Sequence, residues 1–349
     1  MKTTFISSYN TNQAVRTHLM KMQAELVKVE REVVTGRVAD AGLKLGSRTG
    51  HSISLQRDVE RLSGIIDSNS LASSRLSAIQ HGLQSLSDLS QTFLSTMTAA
   101  VSGSVSPSIA KTEAISAITT ITGVLNSSMN GENLFAGINT DVTPINDFFA
   151  TGSPARTAME AAFATHFGFA YNSAAADGVD AAAMENFLTT VIEPQFMGAD
   201  WTTNWSNASD ETITARISMN ETASASVSAN FEGARRVMMA AASVAVFFDG
   251  SLNANALNSV VEHAASMTAR GVSAIGQEQA KTGIVEQRIT NASERLQMQI
   301  NIFEGKISDL EGVDAYEAST RVSTLLAQIE TAYTLTSRIR QLSLVRYLP

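Results

Sequence analysis

Along both ends of the chain, apolar residues recur at alternating spacings of three and four, with polar residues between them. Near the start the series is Leu19, Met22, Leu26, Val29 and Val33. After a Gly-rich break it resumes with Leu55, Val59, Leu62 and Ile66, then Leu76, Ile79, Leu83, Leu86, Leu89, Phe93 and Met97. The later half repeats it with Val285, Ile289, Ala292, Leu296, Ile300, Phe303, Ile307 and Leu310. A last series runs through Val322, Leu325, Ile329, Ala332, Leu335, Ile339 and Leu342. A period near 3.5 places one apolar stripe along a helix, the mark of a coiled-coil-like bundle. Such a stripe stabilises a helix mainly when a facing helix covers it.

The five prolines stand at 107, 144, 154, 194 and 349, so both arms are free of them except at the last residue. Proline inside a helix costs on the order of 3 kcal/mol, which makes long continuous helices the expectation. An unbroken helix from Leu55 to Val101 would run roughly 70 Å at ~1.5 Å per residue. Glycines cluster at 36, 42, 46 and 50, and again at 305 and 312, marking places where a short terminal helix leaves each arm. The matching breaks predict that the first and last helices lie side by side.

From about Ile138 to Ile213 the register is lost. This stretch holds Trp201 and Trp205 with Phe148, Phe149, Phe163, Phe167, Phe169, Phe187 and Phe196, aromatics able to hold a small separate core. Ala155–Phe167 and Ala181–Ile192 read as helical, and Thr212–Met219 alternates like a strand. The whole is read as mainly α: an elongated antiparallel coiled-coil-like rod from both chain ends, with a small mixed or mostly helical middle domain inserted at the tip. The segments are an N-terminal assembly helix (1–40), rod (41–136), variable middle (137–215), rod (216–311) and a C-terminal assembly helix (312–349).

Charge sharpens this division. Residues 1–34 carry five Lys/Arg against three Glu, and residues 320–349 carry four Arg against one Glu. Residues 137–215 carry ten Asp/Glu against Arg156 alone, which suits a solvent-facing middle and packed ends. Basic residues are scattered singly, without the basic stripe of a nucleic-acid site. No run reaches the ~18 apolar residues of a membrane span, and the first residues lack the apolar core of a cleavable leader. The expectation is a soluble chain with no membrane partner, exported, if at all, by a route that does not cut it. The absence of cysteine excludes a disulfide scaffold and a thiolate metal site.

Candidate chemistry is sparse. His18, His51, His81, His166 and His263 are isolated, with no metal-ligand spacing. The early Gly run lacks the Gly-Lys-Ser/Thr ending of a phosphate loop. Asp309, Glu311, Asp314 and Glu317 read as a solvated face around a helix break rather than a cation site. Asn69 falls on an apolar stripe, either as a buried register-fixing residue or at the seam's edge. An enzyme would have to use the insert around His166, Asp177, Asp180 and Trp201, which shows no nucleophile–base pairing. No catalytic, cofactor-binding or metal-binding residue is assigned.

Three segments carry a resemblance. The first is Ile6-Ser7-Ser8-Tyr9-Asn10-Thr11-Asn12-Gln13 through Val33-Val34-Thr35-Gly36-Arg37. The second is Asn130-Gly131-Glu132-Asn133-Leu134-Phe135-Ala136-Gly137. The third is Ser308-Asp309-Leu310-Glu311-Gly312-Val313-Asp314, followed by Arg338-Ile339-Arg340-Gln341-Leu342-Ser343-Leu344-Val345-Arg346-Tyr347-Leu348. Together they resemble the flagellin superfamily, and within it the third hook-associated protein, found at the hook–filament junction. Where that family has a paired Asp after the first turn, this chain has Ala39-Asp40-Ala41-Gly42.

The resemblance implies a structural, non-enzymatic component of the bacterial flagellum that forms the junction ring between hook and filament. It implies unfolded export to the cell exterior through the flagellar secretion apparatus, with a chaperone on the C-terminal helix. The implied partners are further copies of itself in a ring, the first hook-associated protein and flagellin; the alternative is a filament flagellin. The expected assembly interface is Leu19, Met22, Leu26, Val29, Val33, Val322, Leu325, Ile329, Ile339, Leu342, Leu344, Tyr347 and Leu348. These terminal helices are expected to complete their order when neighbouring copies cover them.

Overall fold

The computed structural model describes residues 8–345, and side chains for residues 13–338. It is mainly α, with two small two-stranded antiparallel sheets among the described residues. Two compact units arise: one from residues up to 63 with those from 297 on, the other from residues 64–296.

The first unit contains α1 (Ser8–Thr35), α2 (Ala41–Leu45), the opening turns of α3 (Thr49–Val101), the end of α10 (Ala254–Glu311) and α11 (Ala315–Val345). Leu45, Leu55, Leu62, Ile300 and Ile307 are its buried apolar residues beyond the terminal pair. The helix expected over Leu55–Val101 is present without a break. Gly305, expected to mark a break, instead lies inside α10, and the helix ends at Glu311 just before Gly312. A helical glycine costs only about 1 kcal/mol, and buried Ile300 and Ile307 on either side hold the helix through it.

In the second unit α3 and α10 run antiparallel. Asn69 Nδ2 donates to Ser293 Oγ at 3.0 Å, and Gln80 Nε2 to the Gln279 carbonyl at 2.8 Å. Asn69 is buried rather than at a seam edge. Its amide also donates to the Ile217 carbonyl at 3.0 Å, so it ties the helix pair to a β-strand.

After α3 the chain turns back into α4 (Pro107–Leu125), which has proline at its start, where a missing N–H is harmless. Against α4 packs α9 (Glu232–Phe247). From Gly233 to Phe247, every α9 residue except Arg235 and Arg236 is buried. A helix apolar on nearly all sides must be enclosed, and α9 is the centre of this unit. It comes very close to α10: a Cβ on Gly271 would stand 2.5 Å from Val237 Cγ2, and one on Gly233 2.7 Å from Ile275 Cγ1.

The middle stretch is short helices and two hairpins. The helices read as Ala155–Phe167 and Ala181–Ile192 appear as α5 (Pro154–Phe167) and as α6 (Ala181–Phe187) continued by a π-helical turn, Leu188–Ile192. The alternating stretch forms β3 (Thr214–Ser218), paired with β4 (Glu221–Ser224). The other hairpin, β1 (Ser128–Met129) with β2 (Glu132–Asn133), turns through Asn130 and Gly131 at φ 54° and 86°, as a tight primed hairpin turn requires. The aromatics do not enclose a core of their own. Phe148, Phe163, Phe187, Phe196, Trp201 and Trp205 belong to one buried cluster with Leu83, Phe93, Ile118, Val244 and Ala264 of the long helices.

Candidate assembly interface

The two terminal helices of the first unit pack on each other in antiparallel fashion. Val29 lines the same groove as Tyr316 and Leu325, while Met22 lines one with Thr331 and Leu335. Met22, Val29 and, from α11, Ala318 and Ile329 are buried. Leu19, Leu26, Val33, Val322 and Leu325 are half-buried along the same seam. Gln23 Nε2 donates to Tyr333 Oη at 2.9 Å across it. Eight of the expected interface residues thus line a seam within one chain. Ile339, Leu342 and Leu344 lie on the course of α11 beyond the described side chains, and Tyr347 and Leu348 lie outside the described residues.

A second apolar face stays open. Met20, Val27 and Val34 are 54%, 65% and 85% exposed and follow one another at seven-residue intervals. A straight helix drifts only ~20° per heptad, so the three form one line along α1. On α11, Leu326 and Tyr333 repeat the interval, 49% and 53% exposed. Sequence periodicity missed this face because the first stripe, which the helix pair buries, gives the stronger regular signal.

Where the helices end, a small polar joint holds them. Gly36 closes α1 at φ 66°, a left-handed conformation that glycine adopts readily. The next residues pair with the end of α10: Val38 N–H donates to the Glu311 carbonyl at 2.8 Å, and Val313 N–H to the Gly36 carbonyl at 3.0 Å. The lone Asp40 caps α2 by accepting from Leu43 N at 2.9 Å. Asp314 caps α11 by accepting from Tyr316 N at 2.8 Å. Such caps satisfy the unpaired amides of a first helical turn.

Asp309, Asp314 and Glu317 are exposed, as expected of a solvated acidic face, but Glu311 departs from it and is only 6% exposed. Ser52 Oγ donates to its carboxylate, Gln56 Nε2 donates at 3.2 Å, and the Arg37 guanidinium stands at 3.7 Å. Burying a carboxylate is costly unless donors surround it, and these three side chains come from segments far from Glu311 in sequence. No local pattern announces that convergence.

The four residues of the enzyme reading each have a contact within the fold. Trp201 is buried and its Nε1 donates to Asn230 Oδ1 at 2.7 Å. Asp180 caps α6 by accepting from Ala183 N, and the Asp177 carbonyl accepts from Asn253 Nδ2, both at 2.7 Å. The His166 ring lies 4.7 Å from Phe167 and 5.2 Å from Phe187 between centroids. No helix among the described residues is long and apolar enough to cross a membrane.

Comparison with known proteins places this geometry. The model of the bacterial flagellin N-terminal helical region matches residues 6–140, and that of the bacterial flagellin C-terminal helical region matches residues 265–348. No curated protein sequence matches the chain significantly. Among solved structures, a Vibrio parahaemolyticus protein provisionally assigned as flagellar hook-associated shares the fold with a TM-score of 0.52. It is 10% identical, and the match covers 76% of this chain and 97% of that one.

Proposed function

From the premise that this chain belongs to the flagellin family of flagellar structural proteins, we propose that it forms the junction between hook and filament. On this reading it is not an enzyme. It is exported unfolded, with a chaperone on α11, and becomes extracellular in a ring of its own copies, between the first hook-associated protein and the first flagellin subunits. The observation that carries the reading is the antiparallel pair α1 and α11, which leaves the apolar side chains of Met20, Val27, Val34 and Leu326 exposed.

Self-association through those side chains has a physical driving force. Each such side chain contributes on the order of 1.5–3 kcal/mol when moved fully out of water, against the entropy of ordering it. Head-to-tail contacts between identical copies close into a ring if the rotation closes, and otherwise grow into a filament. A junction ring and a filament subunit can therefore share one interface. The tail Leu342-Ser343-Leu344-Val345-Arg346-Tyr347-Leu348 favours the junction, and the fold shared with the Vibrio protein supports it.

Two experiments test this. A chain lacking residues 312–349 should remain soluble and folded over residues 64–296 yet fail to join hook to filament; normal filament attachment would refute the reading. Loss of the whole protein in cells should leave hooks in place and release flagellin monomers into the medium. Filaments missing with no flagellin released would instead identify the chain as the filament subunit.

A further inference from the structure

We propose that Asn130-Gly131 is a covalent modification site that folding shuts: the unfolded chain loses the Asn130 amide there, and the closed β1–β2 turn prevents the loss. Gly131 is the only glycine in the chain that directly follows an asparagine. The reaction is internal. Gly131 N attacks Asn130 Cγ; the N–Cγ bond forms, the Cγ–Nδ2 bond breaks, and Nδ2 leaves as ammonia with the proton that Gly131 N carried. Water then opens the resulting succinimide ring at either carbonyl, giving aspartate or isoaspartate. Glycine favours the first step because no Cβ obstructs the attacking nitrogen.

In the folded chain both residues are exposed, so burial does not protect the amide. Backbone geometry does. With φ of 54° and 86° the turn is the mirror image of a type I turn, which sets the Asn130 ψ at about +30°. At that angle Gly131 N points away from Cβ across the Cα–C bond, and no side-chain rotation brings Cγ to it. Ring closure needs Gly131 N to swing to the side of Cβ, which opens the pairs Ser128↔Asn133 and Met129↔Glu132. The fold also discriminates between the products. Asp-Gly fits the same turn, whereas isoaspartate carries the chain through its side-chain carbon and spoils the register. The cost falls on Arg75, which is buried at 7% exposure. Its Nη1 donates to Glu132 Oε2 at 2.7 Å and its Nη2 to the Asn133 carbonyl at 2.8 Å, while its Nε has no partner. Among the described residues β2 thus supplies every hydrogen bond to this guanidinium, and displacing β2 strands a buried charge.

Full-length protein incubated in mildly alkaline buffer, with and without guanidinium, tests this by peptide mapping of its asparagines. In guanidinium Asn130 is expected to convert fastest of all. In native buffer it should convert roughly tenfold more slowly or less, since only the small open fraction reacts. Asn126-Ser127 serves as the internal reference. Gly131→Ala, compared in guanidinium alone, should slow conversion of Asn130 severalfold. Chains enriched in isoaspartate at position 130 should refold with a lower urea midpoint than wild type, whereas Asn130→Asp should keep the wild-type midpoint. If Asn130→Asp does not fold, the two conversion rates of the wild-type chain decide. Equal rates with and without guanidinium, slower conversion at Asn130 than at Asn126 in guanidinium, or equal midpoints for the two products would each overturn the proposal. None of these readouts involves assembly, so their outcome is separable from success or failure of the junction reading.

Discussion

Single side chains in this protein matter most where a polar group is enclosed. Asn230 is such a residue: its Oδ1 accepts from Trp201 Nε1 at 2.7 Å and Ser206 Oγ at 2.6 Å. Its Nδ2 donates to the Ala208 carbonyl at 3.0 Å and Asp210 Oδ1 at 2.8 Å. Asn230→Ala would strand the buried Trp201 indole N–H, at a cost of about 1–3 kcal/mol, while Ser206 Oγ would keep the Pro144 carbonyl at 3.3 Å. The expected outcome is a clear fall in the urea midpoint, read by tryptophan fluorescence; an unchanged midpoint would show that the network is dispensable. Glu286 makes the opposite prediction. Burial raises its carboxyl above the ordinary range, with His81 partly offsetting the effect. A carboxyl with a raised folded-state pKa penalises the fold once pH climbs through the unfolded value towards the folded one, and does so fully above both. Glu286→Gln should therefore stabilise slightly at pH 7, and the gain should vanish in acid below the carboxyl range. Thermal midpoints across pH would decide it.

At the scale of elements, close approach and capping set the packing. Alanine is the better helix former by about 1 kcal/mol, yet Gly271→Ala should destabilise. Its methyl meets buried Val237, and overpacking of this kind costs typically ~1–3 kcal/mol. A thermal midpoint raised by Gly271→Ala would mean that α9 and α10 can part without penalty. Asp314→Ala removes the cap of α11 and should cost about 1 kcal/mol, concentrated in its first turn. Hydrogen exchange of residues 315–319 should accelerate severalfold while α4 is unaffected. The long helices were legible because their stripes persist over many turns without proline. The π-helical turn Leu188–Ile192 was not, since only the enclosing core selects it over an ordinary helical turn.

For the molecule as a whole, the residues proposed for assembly divide into a seam that the chain closes by itself and a face that it leaves open. The seam residues Met22, Val29 and Ile329 are buried within one chain, so replacing them with Asp should damage the subunit before assembly. Replacing Val27 and Leu326 with Asp should leave the subunit's circular dichroism unchanged and abolish its polymerisation, read by sedimentation. Polymerisation at wild-type rates would move the assembly surface elsewhere. Periodicity was sufficient to identify the long helices and the pairing of the first with the last. Each is encoded in the order of neighbouring residues, because a helix places positions three and four apart on one side. The enclosure of Glu311, the merging of the middle aromatics with the long-helix core and the burial of α9 came from tertiary contacts. They depend on which distant segments meet, and desolvation acts on that meeting rather than on any local pattern.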